Sequence, residues 1–100
     1  MPEPQFLHED DNLSLEEMAR ASGVRVEIII ELVSHDILQP HGDEAREWRF
    51  PAPSIERVQR ALRLRRDLEL NWPGVSLGLA LLDELNDLRR RHRALLRRLG

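Results

Sequence analysis

Gly23 stands between two short runs that each carry apolar residues at helical spacing, and this limits the chain more than any other feature. In the first run Leu15, Met18 and Ala19 fall on one helical face. Ser14 can cap that helix, and Glu17, three residues on, completes a capping box. Gly23 is placed to end it, because glycine accepts the left-handed conformation found just past a helix C-terminus. The second run, from Val24 to about His35, has Val26, Ile29, Ile30 and Val33 at i, i+3, i+4 and i+7. Ile37 and Leu38 follow, and Pro40 stops the element. Two short helices joined by so tight a turn read as a helix-turn-helix unit.

The rest of the chain adds a wing and two helices. Residues 41–50 read as a small hairpin, with Gly42-Asp43 as its turn signal and Trp48, Arg49 and Phe50 alternating as a strand would. Both aromatics then share one face. A third helix is predicted over roughly Ser54–Leu70, with Ile55, Val58, Leu62 and Leu68 on its buried side. Asn71-Trp72-Pro73-Gly74 breaks the chain, since Pro73 disfavours helix at Trp72, and Trp72 is expected to pack beneath the break. A fourth helix is predicted from about Pro73 to Leu99. Leu81, Leu85, Leu88, His92, Leu95 and Leu99 are spaced 4, 3, 4, 3, 4, a heptad stripe of about three repeats with one polar position. That stripe reads as a homodimer seam, the other possibility being a helix folded back over its own domain. The expected order is a tail or short strand over 1–12, a winged helix-turn-helix domain over 13–70 and a dimerisation helix over 71–100. The fold class is mainly α.

Charge divides the chain in two. Residues 1–48 hold twelve acidic and three basic residues, and residues 49–100 hold twelve arginines and six acids. The whole carries a formal net charge of -3. Every basic side chain is arginine. The halves suit opposite kinds of partner, or each other.

The segment Gly23-Val24-Arg25-Val26-Glu27-Ile28-Ile29-Ile30-Glu31-Leu32, followed by Asp36-Ile37-Leu38-Gln39-Pro40, resembles the second helix of the MerR winged-helix family. Trp48-Arg49-Phe50 resembles that family's aromatic-Arg-aromatic wing strand. The likeness covers about residues 13–70. A closer resemblance, over about residues 6–99, is to the CbpM-type chaperone modulators. It rests on Val58-Gln59-Arg60-Ala61-Leu62-Arg63-Leu64-Arg65-Arg66-Asp67-Leu68-Glu69-Leu70-Asn71-Trp72-Pro73-Gly74 and on Leu81-Leu82-Asp83-Glu84-Leu85. What this resemblance implies is a bacterial inhibitor that binds the J-domain of a DnaJ-like co-chaperone of the curved-DNA-binding protein A type. Such an inhibitor suppresses both the co-chaperone action and the DNA binding of that partner.

The presumed recognition helix departs from the DNA-binding pattern. MerR-type DNA binders are expected to place basic and tyrosine side chains there, whereas the corresponding positions here hold Glu27, Ile30, Glu31 and Leu32, with Arg25 the only base nearby. Carboxylates facing phosphates forgo the counterion-release term that drives such binding. Glu16 and Glu17 add to the negative face from the first helix. On a helical wheel Glu27, Ile28, Glu31 and His35 lie away from the apolar stripe, which makes Ile28 an exposed apolar residue ringed by acids. Such a face suits a cationic protein surface: charge steers association and an apolar anchor supplies affinity. The resemblance supplies the candidate, the basic helix that J-domains present. The bland reading of these acids is a solvated face. The alternative function is a MerR-like DNA-binding transcriptional regulator, working through the wing and the arginines of the third and fourth helices. A third possibility is a purely structural dimerisation module.

Catalysis finds no footing. His8, His35, His41 and His92 are scattered, with no i, i+4 histidine pair for zinc, and the five glycines form no phosphate-cradling loop. His8-Glu9-Asp10-Asp11 offers at most a weak divalent-cation contact and reads as a solvated tail. No cofactor or metal is expected. There is no cysteine, no long apolar run for a membrane span and no basic leader, so the expected setting is the cytoplasm.

Overall fold

A computed structural model describes residues 12–100. Most of the expected N-terminal tail or strand, with Phe6, Leu7 and His8-Glu9-Asp10-Asp11, lies outside the described residues. The order is β1 (Asn12–Leu13), α1 (Leu15–Ser22), α2 (Val26–Ser34), β2 (Phe50–Pro51), α3 (Ser54–Leu68) and α4 (Trp72–Leu99). The architecture is mainly α.

Local chemistry sets the limits of α1. The Ser14 hydroxyl accepts from the Glu17 amide at 3.2 Å, and Glu17 Oε1 accepts from the Ser14 amide at 2.8 Å. At the other end Gly23 adopts φ 73°, and its N–H reaches the carbonyls of Ala19 and Arg20. Together these satisfy backbone groups at both ends of the helix.

The wing departs from a plain hairpin. His41 and Arg49 make an isolated bridge, and a 3₁₀ turn fills Ala45–Glu47 between them. Gly42 sits at φ 112° with the Glu47 carbonyl 2.5 Å from where a Cβ would be, so no other residue fits that turn unstrained. The Phe50 strand pairs antiparallel with β1, placing Leu13 opposite Phe50 and Asn12 opposite Pro51. Trp48 meets Phe50 edge-on with centroids 6.1 Å apart, so the two aromatics do share a face.

The core draws one stripe from each helix: Leu15, Met18 and Ala19 of α1, Ile29 and Leu32 of α2, Val58 and Ala61 of α3, and Trp72, Val75 and Leu79 of α4. Ile37, Leu38 and Phe50 complete it. The third helix also acts as a strut. Gln59 Nε2 donates to the Ser22 carbonyl at 2.8 Å, closing the end of α1, and Arg57 Nε donates to the Ile37 carbonyl at 2.7 Å, holding the chain that leaves α2.

Several expectations about burial are corrected. In α2 the fully buried pair is Ile29 and Leu32, Ile28 packs partly against the core, and Ile30 is 40% exposed. At about 100° per residue, Ile28 and Ile30 lie on opposite flanks of Ile29, so a small rotation of the helix decides which is covered. In the folded chain it is Ile28 that packs partly against the core. Leu32 faces inward and is no part of an outer face. Leu68 is 61% exposed, because α3 ends there with Glu69 in the left-handed region at φ 51°. The final helix begins at Trp72, one residue before Pro73. Asn71 caps it, its Oδ1 accepting from the Gly74 amide at 2.8 Å, and Pro73 sits in the first turn, where its missing N–H costs nothing.

Candidate partner-binding face

The outer side of α2 presents Glu27, Ile30, Glu31 and Ser34, and α1 presents Glu16, Glu17 and Arg20. Glu16 and Glu17 lie in the first turn of α1, and Glu27 in the first turn of α2. Carboxylates there complement the positive end of the helix dipole, which accounts for part of the acidity without any partner. The five ion pairs among the described residues are Arg46–Glu44, Arg57–Asp83, Arg66–Asp67, Arg90–Asp87 and Arg91–Asp87. None of them involves Glu16, Glu17, Glu27 or Glu31. The acidic half and the arginine-rich half therefore do not neutralise each other through ion pairs among these residues.

The candidate residues differ in how they are held. Glu17 gives one carboxylate oxygen to the cap of α1. Glu31 Oε1 accepts from the indole Nε1–H of Trp72 at 3.2 Å, a link between the middle of α2 and the first residue of α4. His35 is half-buried at the end of α2, where its backbone N–H reaches the Glu31 carbonyl. Glu16 and Glu27 accept no side-chain hydrogen bond among those of the described residues. Ile28 flanks the core, so Ile30 takes the place of the exposed apolar residue beside Glu27 and Glu31.

A second surface runs along α4. Its buried residues Trp72, Val75 and Leu79 lie on one side. Leu81 is about 200° round from Leu79, and Leu85, Leu88, His92, Leu95 and Leu99 stay within about 40° of Leu81. The leucines among them are 39% to 77% exposed, and His92 is exposed as well. The heptad stripe thus lies on the side opposite the core, and Leu77, 62% exposed, extends it by one turn. The helix is 28 residues long against 15 for α3, and the Arg57–Asp83 pair, 3.3 Å, ties the start of α3 to the middle of α4. Beyond Asp83 the helix buries no residue.

Sequence reasoning missed the Trp72–Glu31 bond and the Arg65 guanidinium lying 4.2 Å above the Trp72 ring. A buried indole N–H wants an acceptor, but nothing local says which. Among the described residues no group of three or more histidines, aspartates and glutamates could hold a metal ion, and no helix is long and apolar enough to cross a membrane.

Two short helices in a tight turn, a wing and a long terminal helix are the parts of a MerR-type regulator, and residues 13–97 match the family described as MerR HTH family regulatory protein. Chaperone modulatory protein CbpM of Coxiella burnetii (strain Dugway 5J108-111) is 39% identical over 83 residues, 83% of this chain and 78% of that protein. Chaperone modulatory protein CbpM of Salmonella paratyphi B is 40% identical over 87 residues, 87% of this chain and 86% of that protein. The chain belongs to the CbpM family of chaperone modulatory proteins, within the MerR helix-turn-helix class.

Proposed function

We propose that this protein is a chaperone modulator that binds the J-domain of a DnaJ-like co-chaperone through its acidic helix-turn-helix face, inhibiting the partner's co-chaperone and DNA-binding activities. The observation that carries the reading is the face itself: Glu27 and Glu31 lie outside every ion pair among the described residues, with Ile30 exposed beside them. Carboxylates so placed are matched to a cationic helix, and the apolar side chain supplies an anchor. The relatives' name, chaperone modulatory protein, agrees in kind. The protein works in the cytoplasm and is not an enzyme. It acts as a homodimer joined along Leu81, Leu85, Leu88, His92, Leu95 and Leu99, a reading supported by their exposure opposite the core.

A second reading, a MerR-like DNA-binding regulator, draws on Arg89, Arg93, Arg97 and Arg98, which enter no ion pair among the described residues. Titration against a J-domain fragment and against duplex DNA, each at two salt concentrations, separates the two. The expected result is saturable J-domain binding with weak DNA binding. Tight DNA binding with a steep salt slope and no response to the J-domain reverses the assignment.

A further inference from the structure

Among the acids of the face, Glu17 is tied to the cap of its own helix, whereas Glu31 is held by a side chain 41 residues away. Trp72 is only 6% exposed, packed in the same cluster as Ile29, Leu32 and Val75. Its ring is clasped on one face by the Arg65 guanidinium, 4.2 Å from the centroid, a cation–π contact. Its Nε1–H has Glu31 Oε1 as its acceptor, 3.2 Å away. A ring so fixed is a rigid donor. Its bond to Glu31 restricts rotamer freedom that an exposed glutamate would otherwise lose on binding a partner. The second carboxylate oxygen and the spare lone pairs of the first stay available, because one hydrogen bond fills only part of a carboxylate's accepting capacity. Glu27 and Glu16 have no such support.

We propose that Trp72, steadied by Arg65, is a positioning residue that pre-orients the Glu31 carboxylate for a cationic side chain of the partner. This rests on the acidic-face reading and deepens it. The face then has an internal ranking, with Glu31 the oriented contact and Glu16 and Glu27 contributing general field.

A double-mutant cycle on the full chain, with a J-domain fragment as probe, tests the idea. Trp72→Phe removes the N–H together with the five-membered part of the indole and keeps one aromatic ring in the core, so its stability is measured alongside and the comparison between the two backgrounds isolates the bond to Glu31. The substitution is expected to weaken J-domain binding about two- to tenfold, the cost of immobilising one long side chain at an interface. In a Glu31→Gln background the same change is expected to have no effect, since the charge being oriented is gone. Equal losses in both backgrounds would make Trp72 merely structural and overturn the proposal. So would normal binding by Trp72→Phe while Glu31→Gln binds weakly, an outcome that leaves the acidic-face reading standing. Normal binding by both Glu31→Gln and the Glu27→Arg/Glu31→Arg chain removes that reading and this proposal with it. Should Trp72→Phe fail to fold, 5-fluorotryptophan in a Trp48→Phe chain leaves Trp72 as the sole indole. Its fluorine resonance is expected to move on saturation with the J-domain and to move less when Glu31 is Gln. A resonance that stays put overturns the proposal.

Discussion

The helix-turn-helix body and the far half of α4 are built inside out from one another. In the body, Met18, Ile29, Leu32 and Val58 turn inward and are fully covered, while the outer side of α1 and α2 is dominated by carboxylates. In the far half of α4, Leu85, Leu88, Leu95 and Leu99 turn outward, flanked by arginines. The body is complete without another molecule and offers charge. The far helix buries nothing of its own and offers apolar surface. One short chain thus carries two surfaces of opposite character, suited to two different kinds of neighbour.

The largest effect should fall where the body is completed. Leu32→Ala is expected to cost about 2–5 kcal/mol, the range for opening a cavity at a filled core site, read as a drop in thermal or urea stability. A cost near that of a surface substitution would mean that the body is not sealed as described. Next comes the outward stripe. Leu85→Asp with Leu95→Asp is expected to weaken self-association at least about a hundredfold, or about 2.7 kcal/mol, by placing carboxylates in an apolar seam. Sedimentation should then report a monomer with an unchanged helical spectrum. An unaltered mass would break the contrast, since the stripe would not be a seam.

The acidic side is expected to respond in binding rather than in folding. Glu27→Arg with Glu31→Arg should reduce J-domain affinity more than about tenfold, at least about 1.4 kcal/mol, with the fold retained by circular dichroism. Normal affinity would return those acids to the role of a solvated face. The smallest effect belongs to the junction between the regions. Asp83→Asn removes the partly exposed pair with Arg57 and should cost no more than about 1 kcal/mol in stability. A larger loss would show that the far half of α4 leans on the body more than its exposure suggests.

The sequence made some of this legible and concealed the rest. The limits of α1 could be read directly, because Ser14, Glu17 and Gly23 act through bonds spanning three or four residues. The heptad stripe was visible for the same reason, as pure spacing. The ranking of isoleucines in α2 was not. Apolar residues at 26, 28, 29, 30, 32 and 33 cover more than one stripe's width, and any of several rotations would bury four of them. Leu68 misled because it keeps the helical period of Val58 and Ala61 after the opposing surface has ended.

The chain alone therefore determined which segments are helical, where the first helix begins and ends, the unequal sharing of charge, and the leucine repeat. These depend on neighbours within a turn or two. Only the assembled body decided that Ile30 and not Ile28 faces outward, that the leucine repeat lies opposite the buried side of its own helix, and that Trp72 reaches across 41 residues to Glu31. Such outcomes depend on how helices rotate against one another, and that rotation is set by the combined fit of side chains far apart in the chain, which no local spacing encodes.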